Sequence, residues 1–179
     1  MKEKTFERLE TLNDQLDDLH QFLTKYDEDT LNKRPQSGGW SALDVVQHLR
    51  ISESLSHKYL QKKLSGDPEK MGKAGLRSSL RSMAITLFMR SPAKRQAPKM
   101  VNETSFPERT DLTEVMQTWK QQRQDLSAFL RKQPEIVFEK EAYRHPFGGR
   151  LSLLGMLRFF ETHIERHRKQ IERTLQQVG

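Results

Sequence analysis

The chain contains no cysteine. That absence excludes disulfides, thiolate metal ligands and a cysteine nucleophile. It fits a reducing compartment, and a cytoplasmic location is expected. Apolar residues are also scarce: 34% of the 179 residues are hydrophobic and 31% are charged. A core must therefore come from narrow apolar stripes on amphipathic elements. No stretch approaches the roughly 18 consecutive apolar residues that a membrane-spanning helix needs, so no membrane partner is expected. The opening MKEKTFERLE lacks an apolar h-region, so no secretory signal is read. Strand-like alternation and internal repeats are lacking too.

Acidic residues are missing from one place. Between Lys70 and Asn102 stand eight basic residues (Lys70, Lys73, Arg77, Arg81, Arg90, Lys94, Arg95, Lys99) and no Asp or Glu. Elsewhere 23 basic residues face 24 acidic ones, so the net charge of +7 belongs to this segment. A basic block can attract nucleic acid, an anionic surface or an acidic substrate. It can equally be a solvated face, and that is the favoured reading. With Phe88 as its only aromatic residue, it lacks the interleaved rings that single strands stack on.

Five stretches carry helical periodicity. The first spans Thr5 to Tyr26, with Phe6, Leu9, Leu12, Leu16, Leu19, Leu23 and Tyr26 at spacings of three and four. A loop with Pro35 and Gly38-Gly39 follows. The second helix opens at Trp40-Ser41, with Ser41 as N-cap and Asp44 suited to the helix N-terminus, and runs to Leu64. A shorter helix spans Leu76 to Met89, with Leu80, Met83, Ala84, Leu87 and Phe88 expected on its core side. Residues 91–110 hold Pro92, Pro98 and Pro107 and read as an extended connection. At about 20 residues it is long enough to cover a site or frame an entrance. The next helix starts at Asp111 and ends before Pro134, with Leu112, Val115, Met116, Trp119, Leu126, Phe129 and Leu130 as its core face. After a loop with His145-Pro146 and Gly148-Gly149, the last helix runs from Ser152 to Gln177. The fold class expected for residues 1–179 is all-α: one four-helix bundle domain with a short extra helix and long crossover connections.

Sites in bundles are built from inward-pointing side chains of facing helices. The last helix has its stripe at Leu154, Leu157, Phe160, Ile164, Ile171 and Leu175. His167 fills the turn skipped between Ile164 and Ile171, and His163 lies four residues before it. Residues i and i+4 share a helical face, so both imidazoles can meet one ion. His48, three after Val45, stands at the edge of the inward face of its own helix. His57 aligns with Glu53, Ser54 and Gln61 and is expected in solvent; His20 looks peripheral. His145 is read as structural, with a place near the site mouth as the alternative. Gln170 and Asp44 could reach the outer nitrogens of the histidines, although a helix-end role suits Asp44 better. Neutral imidazoles suit zinc, nickel, iron or copper.

The run Trp40-Ser-Ala-Leu-Asp-Val-Val-Gln-His48-Leu resembles the start of the second helix in the DinB-like superfamily. So does the C-terminal run from His145-Pro-Phe-Gly-Gly through His163-Ile-Glu-Arg-His167 to Ile171. The resemblance implies a four-helix bundle with one divalent transition metal, zinc or nickel, on His48, His163 and His167. It implies dimers, and metal-dependent hydrolysis or transfer of a low-molecular-weight thiol to a small-molecule substrate. No catalytic or cofactor-binding residue follows beyond the three histidines. The alternatives are a non-catalytic metal-binding stress or scaffold protein and, less favoured, nucleic-acid binding through residues 70–102.

Overall fold

The computed structural model describes residues 1–91, 101 and 106–179. The expected extended connection, with Pro92, Pro98 and the cations Lys94, Arg95 and Lys99, falls largely outside the described residues. The leucine stripe of the N-terminal segment makes α1 (Lys2–Leu23), which buries Leu9, Leu12, Leu16, Leu19 and Leu23. The helix ends earlier than its periodicity suggests. Thr24 caps it through backbone bonds to His20 and Phe22, and Tyr26 is left exposed. A short helix that periodicity could not reveal follows, α2 (Glu28–Asn32). Its N-cap Asp27 accepts a 2.8 Å bond from the Thr30 amide, and Leu31 is fully buried beneath it.

Helix α3 (Ala42–Leu64) begins where expected. The Asp44 amide donates to Ser41 Oγ and the Ser41 amide donates back to Asp44 Oδ2, both at 3.0 Å, a reciprocal capping box. Arg34 Nε adds a 2.8 Å bond to the same carboxylate. Every residue from Ala42 to Leu49 is buried, because α2 and two long helices surround the first two turns. These two are α5 (Leu112–Arg131), capped by Asp111, and α6 (Leu153–Val178), capped by Ser152. The expected stripe of α5 is buried apart from Phe129, which is half-buried, and Trp119 is fully enclosed.

The shorter helix, α4 (Leu76–Arg90), is where expectation and structure part. Its buried residues are Ser78, Ser82 and Ile85. Leu80, Met83, Leu87 and Phe88 are 50%, 56%, 66% and 37% exposed, and Ala84 is exposed as well. The reason is steric. This helix lies close to glycine backbone: a Cβ on Gly155 of α6 would come within 3.4 Å of Ser82 Oγ, and one on Gly148 would run into Ile85 Cδ1. Such close approach takes small side chains inward and turns the bulky ones out.

Gly148 belongs to a hairpin that escaped the sequence reading. Its strands, β1 (Tyr143–His145) and β2 (Gly149–Leu151), pair antiparallel with Arg144 opposite Arg150. Three residues per strand are too few to show alternation. Gly149 has φ 72°, the left-handed conformation that closes such short turns.

Packing relates α6 to α1, α3 and α4, while α5 packs on α1 and α3. The long helices therefore form a four-membered ring with α1 diagonal to α3 and α5 diagonal to α6. Of the consecutive long helices, α1 and α3 and also α5 and α6 sit on diagonals, while α3 and α5 are neighbours, which requires crossover connections. Ion pairs tie the ring across its interior. Arg123 of α5 binds Glu53 of α3 (2.8 and 2.9 Å), which also accepts from Trp119 Nε1 (2.8 Å). Arg8 of α1 grips both carboxylate oxygens of Glu161 on α6. No helix among the described residues is long and apolar enough to cross a membrane.

Candidate metal centre

His48 leaves the second turn of α3 toward α6, where His163 and His167 share one face. The structure brings the three together, each no more than 9% exposed. One ring nitrogen from each lies within 4.8 Å of the other two. His48 Nε2 and His163 Nε2 are 3.1 Å apart. Ring centroids are separated by 5.0 Å (His48–His163), 4.7 Å (His48–His167) and 4.6 Å (His163–His167). Imidazole nitrogens bound tetrahedrally at about 2.0–2.1 Å stand about 3.3 Å from one another, so the group needs only small closure to hold an ion.

The outer nitrogens decide which inner ones are free. His48 Nδ1 lies 2.8 Å from the Val101 carbonyl oxygen, and His167 Nδ1 lies 2.9 Å from Gln170 Oε1. Both acceptors lack a proton, so each Nδ1 carries the hydrogen and each Nε2 presents a lone pair inward. His163 is held by stacking on Phe159, with centroids 5.0 Å apart and planes 21° apart. Trp40 lies against His48 at 5.1 Å and meets Phe106 edge-on at 5.3 Å.

Burial keeps these imidazoles neutral. It lowers the pKa of His48 from its ordinary 6.5, with the Val101 bond opposing. Burial, and then the fields of His167 and His48, push His163 well below that value. His167 is lowered to about 3 by burial and by His48, against the bond it donates to Gln170. Neutral imidazole is the form that ligates a metal. No carboxylate belongs to the group among the described residues, so the charge of a bound cation would stay uncompensated by its ligands. The donor set thus fits one divalent transition ion rather than magnesium or calcium, which prefer oxygen.

The other sequence candidates divide. Gln170 reaches His167 as its spacing allowed. Asp44 does not approach His48; it serves the helix start and Arg34. His145 is structural: it is buried, and its Nδ1 accepts from the amides of Phe147 (3.2 Å) and Gly148 (2.9 Å), which shapes the hairpin turn. Its ring nonetheless touches Phe159 at 4.4 Å, the same ring that backs His163, and burial lowers its pKa to about 4. His57 is corrected from solvent-exposed to half-buried. It packs on Phe129 of α5, a neighbour that the polar context on its own helix could not disclose. Two partners of His48 escaped the reading. The Val101 carbonyl is backbone and leaves no residue-type signal, and Trp40 was read only as a helix opener. Within the basic segment, Arg81 pairs with Glu141 (2.6 Å) and Arg90 with Glu165 (3.6 Å), as a mixed solvated surface would have it.

A family model described as the DinB superfamily matches residues 11–171, a span that includes all three histidines. No curated protein and no solved structure matches the chain.

Proposed function

The chain belongs to the DinB superfamily, and on that premise we propose that His48, His163 and His167 hold one divalent transition ion, zinc or nickel, in a metal-dependent enzyme acting on a small molecule. The observation that carries the reading is the inward aim of His48 and His167 Nε2, fixed by Val101 and Gln170. An ion on three protein ligands keeps positions open and supplies Lewis acidity that favours deprotonation of water or of a small thiol. The chain's own residues do the rest. Val101 and Gln170 orient the donors, and Phe159 and Trp40 wall the rings. Thiol transfer is slightly preferred to hydrolysis.

The test is elemental analysis of protein purified without a nickel column. One equivalent of a divalent transition metal is expected, and His163→Ala should lose it while keeping its helical circular dichroism. Full retention by that variant would remove the assignment. A low-molecular-weight thiol should then bind the loaded protein and not the His163→Ala variant. A second reading, a metal held without catalysis, is favoured by the low exposure of the three rings. A fourth protein ligand in spectra of the loaded protein would select it.

A further inference from the structure

His145 is a buried group that the hairpin leaves half-used. Its side chain is only 3% exposed. Its Nδ1 accepts from the amides of Phe147 and Gly148, so that nitrogen is bare. A neutral imidazole then carries its hydrogen on Nε2. Among the described residues nothing accepts that hydrogen. The unpartnered side-chain atoms sealed from solvent among these residues are Gln15 Oε1, His57 Nε2 and Gln122 Oε1. His145 Nε2 is not one of them, so open space reaches it. A donor at this depth is costly unless something pairs with it.

The fold brings this donor beside the three histidines. Tyr143 and His145 stand two residues apart on β1, so they face one side of the strand, and both are buried. The Tyr143 hydroxyl lies 3.0 Å from Ser56 Oγ, and its ring meets Tyr59 edge-on at 5.9 Å. Tyr143 is thereby fixed beside the second half of α3. His145, further along the strand, touches Phe159 at 4.4 Å, and Phe159 stacks on His163 at 5.0 Å. The strand therefore runs back along α3 toward the end that carries His48. The turn amides hold the Nδ1 edge of the His145 ring, which leaves Nε2 as its free edge. The field of His145 is among those that act on His163.

We propose that His145 is a ligand-binding residue of this site: its Nε2–H donates to an acceptor atom of the small molecule held at the three-histidine centre. The inference rests on the metal reading above and narrows the substrate. A fixed N–H donor suits carboxylate oxygen or thiolate sulfur, which have bare lone pairs, and gives an ammonium group nothing to bind. Hydrogen bonds to such charged acceptors are the strong ones. The same ring then has two duties, one per nitrogen: Nδ1 shapes the hairpin and Nε2 meets the ligand.

Two variants separate these duties. In His145→Asn, Oδ1 takes the place of Nδ1, so the turn keeps its acceptor and the Nε2 donor is lost. In His145→Gln, the side-chain amide stands where Nε2–H stood, and the turn loses its acceptor. The probe is acetate, titrated into cobalt-loaded full chain and read by the visible spectrum of the ion. Wild type and both variants should each hold one equivalent of cobalt by elemental analysis. Acetate affinity should fall about 10-fold in His145→Asn, the loss of one hydrogen bond to a charged group. It should stay near wild type in His145→Gln, whose urea midpoint drops instead. In zinc-loaded wild type, the His145 Nε2–H proton resonance should shift as acetate is added. Undiminished affinity in His145→Asn overturns the proposal, and so does a resonance that acetate leaves unmoved or a loaded wild type that binds no acetate. Equal losses in both variants overturn it too, since the effect then belongs to the hairpin. A wild-type chain that takes up no cobalt overturns the metal reading and this proposal with it, whereas the other failures leave the metal reading standing.

Discussion

A single side chain, Gln170, shows how much of the centre depends on groups that never meet an ion. Its Oε1 holds the hydrogen of His167 on Nδ1. Gln170→Leu keeps the volume and removes the acceptor, so the His167 ring loses both tautomer and orientation. Metal affinity measured by chelator competition should fall about 10- to 100-fold, with the fold intact. This part of the site was legible because helical spacing alone puts position 170 one turn beyond 167. The same argument found His163 and His167, whose places in an apolar stripe fix their direction. His48 needed more, since a residue at the edge of a face is ambiguous until its neighbours are known. Its partner Val101 was out of reach, because any residue type supplies a carbonyl.

At the scale of elements, capping chemistry was the most readable signal. Ser41 and Asp111 accept backbone amides at the helix starts where their types suit a cap, and Ser152, at the expected start of the last helix, does the same. The start of α3 also carries the approach to His48, seven residues on. Ser41→Ala should cost about 1 kcal/mol in urea unfolding, as for other N-caps, with metal stoichiometry unchanged. What failed at this scale was orientation. The apolar residues of α4 define a face but not a neighbour, and glycines on α6 and on the hairpin decided that the smaller side turns inward. Helix α2 and the hairpin were missed because a five-residue helix and three-residue strands carry too few residues for a period.

For the whole molecule, several buried neutral imidazoles have a common consequence in acid. The pKa of His48 and His163 is lowered, that of His167 falls to about 3 and that of His145 to about 4, from 6.5. Between those values and 6.5 the unfolded chain binds more protons than the native one, so stability rises with pH across that window. Ion-free protein should show a urea midpoint that these histidines leave flat above pH 6.5 and that falls as the pH drops toward about 4. A midpoint that holds steady through that window would contradict the burial of these rings. The crossover ring is what encloses them. His48 and His163 lie 115 residues apart and meet only when α3 packs on α6.

That separation bears on when an ion enters. An extended chain offers at most the His163–His167 pair, and the third donor arrives with the tertiary fold. Once α3 and α6 have closed, rings at most 9% exposed leave little room for exchange without local opening. On the proposed reading, the first ion captured as the bundle closes would be the one held: chain refolded beside nickel or beside zinc should retain its first ion against an excess of the other.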